Sequence, residues 1–447
     1  MIRYLLLWLA LSLLSQSLVA QPFTIKENGA TTTSGFSPER LQRLDQFLQK
    51  YVADQKQVGV IGFISRNGQI IYYKAFGQNG PKKDQPLKRD AIFRIASQTK
   101  AITSLAVLML YEEGRLLLDD PISAYIPAFK SPVVLDTFNE KDSSYTTKPA
   151  QREITIRHLL THTSGLSYTS IGTREANAIY AKARIPSGIG TPFFSLSASV
   201  NALAKLPLMH NPGERFTYSL GTDVLGRLVE LVSGQTLDQF FRTRIFEPLG
   251  MNDTYFYLPP PKQARLATLY TEDKQRQLLP MAAQGSQSPD YPNQAGQYFS
   301  GGAGLSSTAQ DYAIFLQMLL NGGQYNGKVF LAPATVRMML SNQIGNLSIG
   351  DKKFGLGFGL ATEQTAARLP ASEGSFDWGG FFGTNYWADP KTGVIGIVMT
   401  QKVPNSYGDL NDKFKVLVYQ ALVGSVAPGT SVVPASPVAA PTAAKKP

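Results

Sequence analysis

The chain has 447 residues, enough for one large domain or two with a sizeable buried core. Its hydrophobic fraction of 43% against 17% charged residues excludes a largely disordered chain. The formal charge of +11 falls by three to +8 when Arg3, Lys445 and Lys446 of the terminal segments are set aside, and no Lys/Arg run is interleaved with aromatic residues, so a solvated basic surface is expected and no nucleic-acid partner.

Residues 1–20 place Arg3 before an apolar run from Tyr4 to Leu14, then polar residues and the small Ala20. This is the pattern of a secretory signal peptide. The run is shorter than the ~20 residues needed to cross a bilayer. The expectation is therefore an exported protein, periplasmic or secreted, with no stable transmembrane segment once the signal is cut; retention as an anchor is the alternative. The chain has no cysteine, which removes thiol catalysis, disulfides and thiolate metal sites.

Residues 38–55 carry apolar side chains at Leu41, Leu44, Phe47, Leu48 and Val52, a helical spacing, with Ser37 as a natural cap before Pro38. Two β-rich runs then flank Asn67-Gly68, a strong hairpin signal. Residues 97–340 are mostly helical patterns and loops. Residues 384–388 and 394–401 read as strands and 410–423 as a helix. The predicted fold is α/β: an antiparallel sheet formed by the N- and C-terminal segments, flanked by helices, with a large, mainly helical insertion. The catalytic unit would span residues 21–424, with a sheet subdomain of 37–96 plus 341–424 and a helical subdomain of 97–340. Residues 425–447, rich in Pro and Ala, read as a disordered tail.

Within FRIASQTKAITSLAVLML, Ser97 stands at a predicted helix start and Lys100 one turn on. Residues three apart share a helix face, so hydroxyl and amine can enter one cavity. A serine becomes a nucleophile when a base takes its proton, and a lysine serves as that base where burial or a second cation favours the neutral amine. The helix start adds positive potential and free N–H groups. The plainer reading is a capping serine beside a surface lysine, but Ile95, Ala96 and Ala101 argue for an apolar setting. The chain has no Gly-x-Ser-x-Gly elbow and only three histidines. His158 and His162 fall on one predicted helix, closed by Gly165, without the glutamate of a zinc motif, so a structural role is expected and neither metal nor cofactor. Tyr218 precedes a second helix. Alone it reads as core or rim; beside a lysine its phenol can share the work of a base.

Taken together, SQTK (Ser97–Lys100), TIRHLLTHTSGL (Thr155–Leu166), NPGERFTYSL (Asn211–Leu220), the 300–323 stretch and FGLGFGL (Phe354–Leu360) make the chain resemble the serine β-lactamase and penicillin-binding-protein superfamily. The likeness is to the branch of class C β-lactamases, D-alanyl-D-alanine carboxypeptidases and β-lactamase-like (family VIII) carboxylesterases, and it spans about residues 37–423. It implies acyl transfer: Ser97 as nucleophile, with Lys100 and Tyr218 sharing the general-base role. Two departures matter. Leu220 stands where the lactamase motif carries an asparagine. Lys391-Thr392-Gly393, which spells the third motif, follows Asp389-Pro390 between two strand runs and reads as a hairpin turn, whereas Trp378-Gly379-Gly380 has the right order. By the resemblance, the N–H groups of Phe381 and Ser97 form the oxyanion hole. Leu220, Trp378, Gly379, Gly380 and Phe382, with Phe381, would line the substrate site, and residues 168–206 its rim. The expected function is an exported carboxylesterase on small acyl esters. The alternatives are a class C-like β-lactamase or D-Ala-D-Ala carboxypeptidase, with a lactam or peptide substrate, and a non-catalytic penicillin-binding-like scaffold.

Overall fold

Ser37 caps the first helix, α1 (Pro38–Ala53), by accepting from the Arg40 N–H at 3.2 Å, and Pro38 occupies the first turn, where no N–H is needed. The computed structural model describes residues 22–27, 34–284 and 288–424. The expected signal segment and C-terminal tail lie outside the described residues.

Strands β1 (Gly59–Arg66) and β2 (Gln69–Asn79) meet at Asn67-Gly68, both at positive φ (48° and 77°), which suits the right-handed twist of a two-residue hairpin. A short β3 (Gln85–Pro86) follows on the edge. The chain then leaves the sheet and returns through β4 (Lys352–Phe354), β5 (Gly359–Ala361), β6 (Phe376–Gly379), β7 (Asn385–Asp389) and β8 (Val394–Met399). The order is β4-β5-β6-β7-β8-β1-β2-β3, antiparallel throughout. The join between the two ends of the chain is central, running from Ile61 opposite Met399 to Arg66 opposite Val394.

Both central strands are buried on both faces, and the strand period of two sorts their side chains. Val60, Ile64, Val394 and Val398 pack with α1 and the C-terminal helix α6 (Leu410–Ala421) through Leu44, Leu48, Phe414 and Val418. Ile61, Phe63, Ile395, Ile397 and Met399 face the large core shared with the insertion. There, α2 (Thr99–Glu112) packs against α4 (Gly221–Ser233), and α5 (Ala309–Leu320) lies on β8 and β1. The insertion also carries hairpins, such as Val133–Phe138 with Tyr145–Pro149. The sequence signals located β7 and β8 but not β4, β5 and β6. Those strands are three or four residues long, too short for alternation to register.

Candidate active site

Ser97 lies in a tight turn (Ala96–Gln98) that runs straight into α2. Ala96 precedes it with φ of 42°, a left-handed conformation that costs a residue with a Cβ on the order of 1–3 kcal/mol. The surroundings hold it there. Ala96 is fully buried against Leu269 and Phe382. The buried Arg94 guanidinium donates to the Ala267 carbonyl at 2.7 Å and to Gln401 Oε1 at 3.0 Å. The Tyr312 hydroxyl donates to the Gln98 carbonyl at 2.9 Å, and Thr99 Oγ1 accepts from the Leu305 N–H at 3.1 Å.

One turn on, Lys100 is buried. Its Nζ donates to Tyr168 OH and to the Gly302 carbonyl, both at 2.8 Å, and to Ser97 Oγ at 3.4 Å. It also sits 4.6 Å from the centre of the Tyr218 ring. Tyr218 is clamped. Its ring stacks on Tyr168 at 5.4 Å, lies 4.6 Å from His162, and its hydroxyl accepts from Trp378 Nε1 at 3.2 Å. Burial, then the neighbouring Tyr218 and Asp223, push the Tyr168 phenol well above its ordinary range, so it stays protonated at neutral pH.

Behind this cluster, α4 presents a buried carboxylate. Asp223 Oδ1 accepts from Ser300 Oγ at 2.7 Å and from the Gly302 N–H at 3.1 Å. It thereby fixes the loop whose Gly302 carbonyl accepts from Lys100. Burial raises the Asp223 carboxyl above its usual range, against these hydrogen bonds and the Lys100 charge. The helix expected after Tyr218 is α4, but that expectation gives Asp223 no part. The available signal was an acid in the first turn between Thr222 and Val224, on a face the apolar pattern turns inward. Tyr168 was placed on the rim by its loop composition. Nothing local distinguishes it from other loop tyrosines.

The opposite wall is the end of β6. Trp378, Gly379, Gly380 and Phe381 line one cavity of about 1150 Å³ together with Ser97, Tyr168 and Tyr218. A Cβ on Gly380 would stand 2.5 Å from the Ile95 carbonyl oxygen, so only glycine lets this wall close on the nucleophile turn. Among the described residues the Phe381 N–H has no hydrogen-bond partner. Leu220 and Phe382 do not line this cavity. Leu220 is buried in the main core at the start of α4, and Phe382 packs under Ala96. The residues expected at the rim do line it, through Ile171, Ile189 and Phe194.

Lys391-Thr392-Gly393 forms the β7–β8 turn. Asp389 Oδ1 accepts from the Lys391 and Thr392 N–H groups at 2.9 and 3.2 Å, and Gly393 has φ of 70°. It lies at the far end of β7 from Asn385, the residue paired with Gly379, about 14 Å away at ~3.4 Å per strand residue. Each of the three histidines is engaged within the fold. The helix expected to carry two of them ends early: α3 (Ile156–Leu160) is closed by His162 turning to φ of 55° and the Thr163 N–H donating to the His158 carbonyl at 2.9 Å. His158 closes the capping box with Thr155, and His162 is buried among Phe216, Tyr218 and Phe354. His210 bridges to Thr217 Oγ1 at 2.9 Å. Among the described residues no cluster of three or more metal-ligating side chains occurs.

A family model described as Beta-lactamase matches residues 44–420. Esterase EstB of Burkholderia gladioli is 31% identical over 374 residues, spanning 80% of this chain and 89% of that protein. A putative D-alanyl-D-alanine carboxypeptidase of Escherichia coli O157:H7 is 28% identical over 425 residues, spanning 90% and 91%. Among solved structures, EstCE1, described as a hydrolase with promiscuous acyltransferase activity, superposes with a TM-score of 0.72 at 27% identity, covering 86% of this chain and 99% of that one.

Proposed function

The chain belongs to the beta-lactamase family, and from that premise we propose that it is an exported carboxylesterase acting on small acyl esters through an acyl-enzyme on Ser97. One observation carries the preference for esters: the wall opposite the nucleophile presents the Trp378 indole, bonded to Tyr218 OH at 3.2 Å, where an ammonium would be suited to a substrate carboxylate. The likeness to EstB and EstCE1 points the same way.

In this proposal Ser97 Oγ attacks the ester carbonyl while its proton passes to the Lys100–Tyr218 pair. The developing oxyanion is held by the N–H groups of Ser97 and Phe381, each donor of this kind contributing about 3 kcal/mol in the transition state. The proton then moves to the departing alkoxide and the alcohol leaves. Water attacks the acyl-enzyme with the same pair as base, Ser97 regains its proton, and the acid is released. Tyr168 and the Gly302 carbonyl hold Lys100 Nζ in place between turns of this cycle. Trp378 fixes the Tyr218 hydroxyl.

A second reading, a β-lactamase or D-Ala-D-Ala peptidase, is favoured by the cations Arg184, Lys352, Arg368 and Lys415 that line the cavity. Two of these charges are engaged in close pairs, Lys352 with Asp377 at 2.6 Å and Arg368 with Asp351 at 2.9 Å, while Lys415 stands 3.7 Å from Asp377. A panel of p-nitrophenyl butyrate, nitrocefin and a D-Ala-D-Ala peptide separates the readings. Butyrate turnover alone supports the esterase; turnover of nitrocefin or peptide without butyrate contradicts it.

A further inference from the structure

A second, smaller cavity of about 390 Å³ adjoins the active-site cavity on the other side of Phe381. Phe381 and Ile189 line both, and Leu269, Met281, Phe382 and Val403 complete the apolar wall of the second. This wall is not part of the main core. Leu269 and Phe382 form a separate apolar cluster with Ala96, the residue directly before the nucleophile, and Ile189, Met281 and Val403 pack on it half-buried. Leu269 and Phe382 thus connect the chamber's wall to the turn that carries Ser97, which does not itself line the chamber. Phe381 stands between the chambers with 48% of its surface exposed, unusual for a phenylalanine with so much apolar surface beside it. Its ring is edge-on to Phe382 at 5.4 Å.

Geometry assigns this space to one side of the ester. The leaving oxygen must face the proton donors, Tyr218 and Lys100, which lie with Trp378 on one flank of Ser97. The carbonyl oxygen must face the N–H of Phe381. With those two directions taken, the acyl chain is the substituent left to enter the chamber that shares Phe381 and Ile189 with the active-site cavity. We propose that the second chamber is an acyl-chain subsite gated by Phe381, so that the enzyme takes esters of medium-length or bulky apolar acids as well as short ones. This rests on the esterase reading and names its substrate class. The half-buried Met281 gives the far wall an adaptable side chain, suited to chains of varied shape.

The test measures kcat/KM for p-nitrophenyl acetate, butyrate and octanoate on wild type, Met281→Trp and Phe381→Ala, with a parallel series of acetate esters of lengthening alcohols. Each buried methylene is worth about a factor of four in affinity, so filling the chamber in M281W lowers the octanoate-to-acetate ratio by about tenfold or more. Opening the gate in F381A, which keeps its backbone N–H, raises that ratio. Ratios within about twofold of wild type in both variants, with acetate still hydrolysed, overturn the subsite. A response confined to the alcohol series overturns its assignment to the acyl chain. Labelling rates with short- and long-chain alkyl fluorophosphonates distinguish this from failure of the esterase reading: a chain-length response in labelling without ester turnover upholds the chamber and sinks only the esterase.

Discussion

Lys100 Nζ lies closer to the Tyr168 hydroxyl, at 2.8 Å, than to the Ser97 hydroxyl, at 3.4 Å. Because burial keeps the Tyr168 phenol protonated, its part is to position the amine rather than to take a proton. Tyr168→Phe should lower kcat by roughly tenfold to a hundredfold and change KM little, whereas Lys100→Ala should cost on the order of 10²–10⁴, the range of a lost general base. Steady-state kinetics on p-nitrophenyl butyrate check both. Equal losses in the two variants would make Tyr168 a proton carrier.

Trp378 and Lys391 offer a contrast between a wall and a look-alike. Trp378→Ala removes the hydrogen bond to Tyr218 OH and the ring packed 5.5 Å from it, and should lower kcat/KM by about tenfold or more. Lys391 is on the β7–β8 turn, its ammonium 4.0 Å from Glu373 on an exposed surface. Lys391→Ala should leave both activity and melting temperature close to wild type.

That contrast also marks how far the chain could be read before its structure. The terminal helices, the Asn67-Gly68 hairpin and the strands around the decoy turn carry local signals of spacing, capping and turn chemistry. Ser97, Lys100, Tyr218 and the Trp-Gly-Gly wall could be listed from motif order; in the structure Ser97, Tyr218 and the wall line one cavity, with Lys100 buried beside Ser97. Contacts set by tertiary packing were not legible. Leu220 and Phe382 are apolar residues beside site residues, and only the fold decides that Leu220 turns into the main core and Phe382 packs under Ala96. Asp223 and Tyr168 act on Lys100 across 68 or more residues of chain. His162 left the expected helix because the chain closes there in a C-terminal cap, His162 turning left-handed and the Thr163 N–H bonding back to the His158 carbonyl.

Asp223 holds the Gly302 loop from inside the protein. Asp223→Leu would leave Ser300 Oγ and the Gly302 N–H unpaired in a buried site and should destabilise the fold by about 2–4 kcal/mol. Asp223→Asn keeps an acceptor oxygen and should lose less than half of that. Chemical denaturation compares the two. Equal stability of the leucine variant and wild type would mean the carboxylate bears no part of the loop.

His162 is buried, and burial followed by the nearby Lys100 charge depresses its imidazole well below the ordinary 6.5. In the unfolded chain it binds a proton below about pH 6.5; in the fold it does not. Its contribution is therefore fully present above about pH 6.5 and lost as pH falls below it. Relative to His162→Phe, wild type should lose up to ~1.4 kcal/mol of stability per pH unit below that point. Urea titrations of both proteins between pH 7.5 and 5 read the difference, and a difference independent of pH would place a proton on the buried ring.

Everything proposed for the site passes through an acyl group on Ser97. Rapid quenching of the reaction with p-nitrophenyl butyrate, followed by peptide mass spectrometry, tests this directly. The account predicts a butyryl adduct on the peptide containing Ser97, accumulating within the first turnover and absent, with turnover, from Ser97→Ala. Undiminished hydrolysis by Ser97→Ala, or an adduct on another residue in wild type, would contradict it.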